Sequence, residues 1–132
     1  MPRVILVVDD SATVRKFVAT SLRLLGCRVI TAADGMEALE KMPNESIDVI
    51  ITDLNMPDMD GYEFIRNLRT TPEYQAIPII VLSSLTDQAE KERAIHLGAY
   101  SYLEKPFTVE CIQREVVRCT QGATVAAQFQ PK

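Results

Sequence analysis

Residues 4–11 read VILVVDDS: five apolar residues, then two acids and a serine. A continuous apolar run rich in valine and isoleucine is typical of a parallel strand that is buried on both faces. The two acids follow this run directly, and Ser11 stands where it can cap a following helix. The segment therefore predicts a central strand of a parallel sheet, with two carboxylates at its carboxyl end.

The same pattern continues outward from this segment, because short apolar runs alternate with helical patterns along the chain. The predicted strands are residues 4–8, 27–32, 49–52, 79–82 and 101–104, and the predicted helices are residues 12–25, 36–42, 62–69, 88–97 and from 108 onward. Strict alternation implies right-handed crossovers and a parallel sheet covered by helices on both faces. We expect one domain over residues 1–120 and a polar, frayed tail over residues 121–132.

The apolar stripes of the first and fourth predicted helices differ in strength. The first helix has a clear stripe that we expect to face the core, consisting of Val14, Phe17, Val18, Leu22 and Leu25. The stripe of the fourth is the weakest of the five and consists mainly of Ala94, Ile95 and Leu97. Gly26 and Gly98 stand where these two helices should end.

Composition narrows the possible functions. The 132 residues are 47% hydrophobic and 24% charged, as in an ordinary globular protein, and the net charge of −4 argues against a nucleic-acid-binding face. No apolar run could span a bilayer and the first residues lack a signal-peptide pattern, so we expect a cytoplasmic protein without a membrane partner. The three cysteines (Cys27, Cys111 and Cys119) and the single histidine, His96, predict neither a zinc site nor a disulfide framework.

Polar side chains follow the ends of four predicted strands: Asp9 and Asp10, Asp53, Ser83, and Lys105. In open parallel sheets, ligands bind beyond the carboxyl ends of the strands, so we expect these side chains to meet. Three clustered carboxylates repel one another unless a cation compensates, and carboxylate oxygens suit Mg²⁺. Two acids for the metal and a third as nucleophile, with the lysine and the serine binding phosphoryl oxygens, predict a phosphoryl-transfer site.

Each of these features has a simpler interpretation when taken alone. Asp9 and Asp10 could form only a turn and a helix cap, and Asp53 could be an ordinary loop residue. A calcium-binding loop starting at Asp53 is excluded, because Pro57 replaces a ligand and Asp58 stands where glycine is needed. The prediction therefore depends on the agreement of all the strand ends.

Together these motifs resemble the receiver domains of bacterial two-component response regulators, especially the single-domain chemotaxis type. The resemblance covers residues 4–119 and rests on four segments in order, namely residues 7–11 (VVDDS), 53–61 (DLNMPDMDG), 82–84 (LSS) and 105–107 (KPF). It implies a flavodoxin-like (βα)5 fold, a doubly wound parallel α/β sheet with strand order 2-1-3-4-5.

The resemblance also implies roles for individual residues. Asp53 would accept a phosphoryl group from a sensor histidine kinase or a phosphotransfer domain. Mg²⁺ (or Mn²⁺) would be bound by Asp10, by Asp53 and by the backbone carbonyl of Asn55, with Asp9 acting through water. Lys105 would bind the phosphoryl group. Ser83 and Tyr102 would form the switch.

On this resemblance the chain is a signalling switch rather than an enzyme, although it would catalyse its own phosphorylation and dephosphorylation. Its output would act on a downstream protein target, not directly on nucleic acid, through the face formed by the fourth helix, the fifth strand and the fifth helix. We also expect the peptide bond between Lys105 and Pro106 to be cis.

Two other classes of protein share parts of this pattern. A haloacid-dehalogenase-like phosphatase also forms an aspartyl phosphate, but its acids should be spaced DxD after the first strand, whereas Asp9 and Asp10 are adjacent. A flavodoxin-like electron carrier needs a phosphate-binding loop after that strand, where these two acids would repel a flavin phosphate.

Overall fold

The structure is a computed structural model that describes residues 2–54, 56, 59–83 and 88–128, with the backbone alone for residue 83 and residues 121–128. Strands and helices alternate along these ranges. They are β1 (Val4–Val8), α1 (Ala12–Leu24), β2 (Arg28–Ala32), α2 (Gly35–Lys41), a 3-10 turn (Met42–Asn44), β3 (Val49–Asp53), α3 (Gly61–Arg69), β4 (Ile79–Ser83), α4 (Gln88–His96), β5 (Ser101–Glu104) and α5 (Val109–Gln128).

The strands form one parallel sheet in the order β2-β1-β3-β4-β5, which confirms the predicted topology. Strands β1 and β3 are neighbours at its centre, where Val8 pairs with Thr52. On the other side of β3, Asp53 pairs with Leu82 of β4, and Ser83 in turn pairs with Glu104 of β5. This register brings the carboxyl ends of β1, β3, β4 and β5 to one edge of the sheet.

Local capping explains where several helices begin and end. The side chains of Ser11, Asp34 and Asp60 accept hydrogen bonds from backbone N–H groups in the first turns of α1, α2 and α3. Gly26 and Gly98, which follow α1 and α4, have φ angles of 92° and 116°, a left-handed conformation that ends a helix at little cost only for glycine. The predicted helix ends at these two glycines are confirmed.

The apolar residues form two core layers, one on each face of the sheet. Helices α1 and α5 cover one layer, in which Val18, Leu22 and Ile112 are buried. Two residues of the predicted α1 stripe depart from it, because Phe17 is 41% exposed and Leu25 is 39% exposed. The ring of Phe17 instead lies beside Phe107, which precedes α5, with the two ring centroids 6.3 Å apart.

The carboxyl-terminal part of the chain shows two further features. Helix α5 continues past residue 120 to Gln128, so the end of the domain at residue 120 stays a prediction. The peptide bond between Lys105 and Pro106 is cis, as expected. Within the described ranges, no helix has both the length and the apolar character needed to cross a bilayer.

Candidate functional site

Three carboxylates meet at the carboxyl edge of the sheet. Asp9 and Asp10 follow β1, and Asp53 is the last residue of β3. Each offers one oxygen atom, and these three oxygens lie within 4.8 Å of one another. The central position of β1 and β3 produces this cluster, because neighbouring parallel strands end side by side. The predicted meeting of the three acids is confirmed.

Asp9 is the most deeply buried of the three, with an exposed fraction of 0%. Its backbone N–H donates to the carbonyl of Ala32, and its Oδ1 accepts a hydrogen bond of 2.8 Å from the N–H of Ser11. Burial raises the pKa of Asp9 above its usual value, while the Ser11 N–H and the positive charge of Lys105 oppose this shift. The protein therefore holds this carboxylate in an environment that disfavours its charge.

Asp53 is held in place by the backbone that follows it. Its side chain is nearly buried, and its Oδ1 accepts a hydrogen bond of 2.8 Å from the N–H of Leu54. Gly61 packs directly on this turn: a Cβ atom added there would lie 2.4 Å from the carbonyl oxygen of Asp53. The N–H of Gly61 donates to the carbonyl of Leu54 at 2.8 Å. Only a residue without a side chain fits this position unless the backbone moves.

Lys105 brings a positive charge into the acid cluster. Its Nζ lies 3.7 Å from Oδ2 of Asp9 and 3.9 Å from Oδ1 of Asp53. Both distances exceed the ordinary length of a hydrogen bond, so Lys105 attracts the two carboxylates through its charge rather than through a short hydrogen bond to either. Because β5 is two strands away from β3, the long lysine side chain spans the end of β4 to reach them.

The other predicted site residues are described only in part. Ser83 is the last residue of β4, one strand from Asp53, but its side chain lies outside the described parts. Asn55 also lies outside them. Tyr102, on β5, is half-buried, and its ring lies 4.8 Å from Nζ of Lys91. The roles of these residues stay predictions.

The acid cluster fits a hard divalent cation. Oδ2 of Asp9 is buried and has no hydrogen-bond partner among the described residues, which is a costly arrangement for a carboxylate oxygen. Asp10 and Asp53 offer further oxygens beside it, and oxygen donors without sulfur or imidazole are the ligand set that Mg²⁺ prefers. A bound cation would also relieve the mutual repulsion of the three acids.

Sequence reasoning missed two features near this site. The close packing of Gly61 against Asp53 was missed, although Gly61 is the first residue of α3, a position at which glycine is not the preferred residue. The contact of Lys91 with β5 was missed because a lysine breaks the apolar stripe by which a buried helix face is recognised. Lys91 does lie three residues before the buried Ala94, a spacing that places both on one face of α4.

The comparisons with known proteins agree with this geometry. Residues 5–117 match the family model of the response regulator receiver domain. A curated relative, the probable transcriptional regulator ycf27 of Guillardia theta, is 39% identical over 128 residues, which cover 95% of this chain and 49% of that protein. The chain thus spans about half the length of this relative.

Solved structures show the same likeness. The chemotaxis response regulator CheY4 of Vibrio cholerae has a TM-score of 0.85 and 39% identity, and the match covers 89% of this chain and 98% of that one. A receiver domain of a Pseudomonas aeruginosa sensor histidine kinase, solved with a magnesium ion coordinated in its active-site cleft, has a TM-score of 0.84 and 31% identity, covering 92% and 99%. By its sequence, its strand order and its cluster of acids, this chain belongs to the response regulator receiver domain family.

Proposed function

We propose that this protein is a phosphorylation-activated signalling switch whose phosphoryl acceptor is Asp53. The observation that carries the proposal is the meeting of Asp53 with Asp9, Asp10 and Lys105 at one edge of the sheet. The donor is a sensor histidine kinase or a phosphotransfer domain, and the expected compartment is the cytoplasm. Family membership supports this function, and the central position of Asp53 supports the choice of acceptor.

The proposed reaction is a phosphoryl transfer to a carboxylate. An oxygen of Asp53 attacks the phosphorus atom, a new O–P bond forms, and the bond from phosphorus to the donor breaks, with the bonding pair leaving on the donor. The protein contributes mainly position and charge, because this kind of transfer needs little further covalent chemistry. Leu54 N–H orients the carboxylate, and Lys105 supplies positive charge for the phosphoryl oxygens.

The proposed cation is Mg²⁺ or Mn²⁺, held by Asp10, Asp53 and the backbone carbonyl of Asn55, with Asp9 acting through water. Two observations support a cation at this place: Oδ2 of Asp9 has no hydrogen-bond partner among the described residues, and the oxygens of Asp9, Asp10 and Asp53 lie close together. When bound, the cation neutralises negative charge on the acids and on the phosphoryl oxygens.

The proposed output is a change at the surface formed by α4, β5 and α5. New charge-assisted hydrogen bonds from phosphorylated Asp53 to Ser83 and Lys105 contribute roughly 1.5–3 kcal/mol each. Inverting a two-state equilibrium from 1:99 to 99:1 takes about 5.5 kcal/mol, so these bonds supply most of what is needed. Tyr102 on β5 then follows Ser83 of the adjacent strand and presents a different surface to a downstream protein.

The test compares wild type with Asp53→Asn. Both are incubated with acetyl phosphate and Mg²⁺, and intact mass spectrometry measures the phosphorylated fraction. We expect the wild type to gain one phosphoryl group and the variant none. The matched control is Asp48→Asn, because Asp48 accepts a hydrogen bond from the N–H of Val4 at the opposite edge of the sheet. Equal phosphorylation of Asp53→Asn and wild type would show that the acceptor is another residue.

A further inference from the structure

Helix α4 buries one apolar and one charged side chain among its described residues. Ala94 is the one hydrophobic residue that is fully buried within Gln88–His96, the described extent of the helix, and Ile95, which the sequence placed on the apolar stripe, is 41% exposed. The other buried residue of this helix is Lys91, with an exposed fraction of 7%. A buried lysine is unusual, because a charge away from water needs a partner.

The partners of Lys91 lie on β5. Its ammonium group forms an ion pair with the carboxylate of Glu104 and lies 4.8 Å from the ring centroid of Tyr102. Residues two apart on a strand project from the same face, so both partners face α4. Lys91 therefore joins α4 to β5 through two contacts at once, an ion pair and a cation–π contact. We call this three-residue arrangement the Lys91 clamp.

The clamp lies next to the groups that would bind the phosphoryl group. Glu104 pairs with Ser83 across the sheet, and it is followed directly by Lys105, whose Nζ approaches Asp9 and Asp53. Because the two residues are bonded to each other, a shift of the backbone at Lys105 would also shift Glu104. The ion pair thus involves the last residue of β5, and the proposed phosphoryl-binding lysine is the next residue of the chain.

We propose that Lys91 is a positioning residue for Tyr102: its ion pair with Glu104 and its contact with the ring hold the ring against α4, and this clamp opposes the switch. The inference rests on the proposed function, in which Tyr102 moves when Asp53 is phosphorylated. Because coupling between two sites is reciprocal, an arrangement that resists the movement of Tyr102 also weakens binding at the phosphoryl site. Opening the clamp should strengthen that binding.

The experiment measures the binding of beryllium fluoride in the presence of Mg²⁺. Beryllium fluoride bound to a carboxylate is a tetrahedral mimic of a phosphoryl group. Lys91→Met keeps the length and the apolar stem of the side chain and removes the charge, whereas Glu104→Gln breaks the ion pair from the other side. We expect both variants to bind beryllium fluoride about three- to tenfold more tightly than wild type, in line with the strength of partly exposed pairs. Lys91→Arg retains both contacts and should bind like wild type.

The matched control is Lys41→Met. Lys41 forms an ion pair with Glu37 on α2, with Nζ and Oε2 2.9 Å apart, and α2 packs on β2 and β1, at the opposite side of the sheet from β5. Its loss should leave the affinity for beryllium fluoride unchanged. If Lys91 contributed only to stability, Lys91→Met would lower the melting temperature without binding beryllium fluoride more tightly. Tighter binding therefore indicates that Lys91 positions Tyr102.

A second measurement does not depend on phosphoryl chemistry. The ring resonances of Tyr102, assigned with Tyr102→Phe in protein labelled at tyrosine, should shift in Lys91→Met and return in Lys91→Arg. Unchanged resonances, or unchanged or weaker beryllium fluoride binding by folded Lys91→Met and Glu104→Gln, would overturn the clamp. If wild type itself does not bind beryllium fluoride, the proposed function fails, and the ring resonances alone decide whether Lys91 positions Tyr102.

Discussion

Asp9 shows how a single buried side chain can place function in conflict with stability. Its carboxylate is fully buried, and one of its oxygens has no hydrogen-bond partner among the residues described. Desolvation raises its pKa, and the neighbouring charge of Asp10 adds to the effect, while Ser11 and Lys105 oppose it. The folded protein thus favours the protonated form of Asp9 more than the unfolded chain does, and ionisation at neutral pH costs stability.

The first prediction is that Asp9→Asn stabilises the protein when divalent cations are removed by EDTA. Asparagine keeps the Oδ1 acceptor for Ser11 N–H but carries no charge, so we expect the free energy of unfolding at pH 7 to rise. Because the pKa of Asp9 is raised in the fold, the advantage should be absent below the usual carboxyl pKa of 3.8 and grow as the pH rises above it.

Thermal melts at several pH values measure this difference. Asp10→Asn is the control, because Asp10 is exposed and its replacement should change the stability less. A lower melting temperature of Asp9→Asn in EDTA at pH 7 would contradict the account of Asp9.

The second prediction concerns Gly61. A methyl group at this position would meet the carbonyl oxygen of Asp53 at 2.4 Å and Cα of Leu54 at 2.6 Å, so Gly61→Ala must displace the backbone beside the acceptor. We expect it to lower the free energy of unfolding by about 2–3 kcal/mol and to reduce phosphorylation of the folded fraction. Urea unfolding and intact mass spectrometry measure the two effects.

Gly26→Ala provides the comparison for Gly61→Ala. Gly26 has a φ of 92° but an added Cβ would meet no atom within 4 Å, so only backbone strain of about 1–2 kcal/mol applies, and phosphorylation should be normal. If Gly61→Ala matched Gly26→Ala in both measurements, the close packing on Asp53 would have no functional consequence.

The sequence largely predicted which residues meet at the site, but it did not predict how deeply each of them is buried. Asp9, Asp10, Asp53 and Lys105 could be recognised because each directly follows a strand. The sequence does not distinguish the buried Asp9 from the exposed Asp10, and Asp9 is further tied to the neighbouring strand by the hydrogen bond from its N–H to Ala32. Such pairing depends on contacts between distant parts of the chain.

At the scale of elements, strands and helices were predicted to within a few residues where their apolar pattern was strong. Helix α3 is an example: it was predicted over residues 62–69 and lies at Gly61–Arg69, with Phe64, Ile65 and Leu68 buried. Helix α4 was predicted only in part: Ala94 is buried and Leu97 packs against the core, but Ile95 is exposed. The burial of Lys91 could not be predicted from periodicity, because a charged residue adds nothing to an apolar stripe.

Arg69, at the end of α3, joins this helix to two other segments. Its guanidinium donates to the carbonyl of Gly98 after α4, with Nη2 at 2.8 Å. It also donates to the carbonyls of Gln75 and Ile77 before β4, both at 2.9 Å. These acceptors lie up to 29 residues away along the chain, so sequence pattern alone could not have indicated this role.

The third prediction is that Arg69→Met lowers the free energy of unfolding by about 2–3 kcal/mol, because carbonyl groups that are partly buried lose their donors. Arg69→Lys should recover only part of this loss, since an ammonium group cannot reproduce the fork of a guanidinium. Arg66→Met, an exposed position on the same helix, is the control and should change the stability by less than about 0.5 kcal/mol. Equal urea midpoints for Arg69→Met and Arg66→Met would contradict this role of Arg69.

At the scale of the whole molecule, the strand order explains why the site exists. The order β2-β1-β3-β4-β5 places the acids of β1 and β3 at the centre of one edge and Lys105 of β5 within reach of them. Alternation of strands and helices predicted a parallel sheet on physical grounds, whereas the order itself came from the resemblance to receiver domains. The assignment of Asp53 as acceptor depends on this arrangement more than on any single residue.

Chemical trapping of the acceptor tests the central claim most directly. After incubation with acetyl phosphate and Mg²⁺, sodium borohydride reduces an aspartyl phosphate to homoserine, and peptide sequencing by mass spectrometry locates the change. Because Asp53 ends the central strand beside Lys105, we predict homoserine at position 53 in wild type, and none there when acetyl phosphate is omitted. Homoserine at position 9 or 10, or its absence in protein that gains a phosphoryl group, would contradict the assignment of Asp53 as the phosphoryl acceptor.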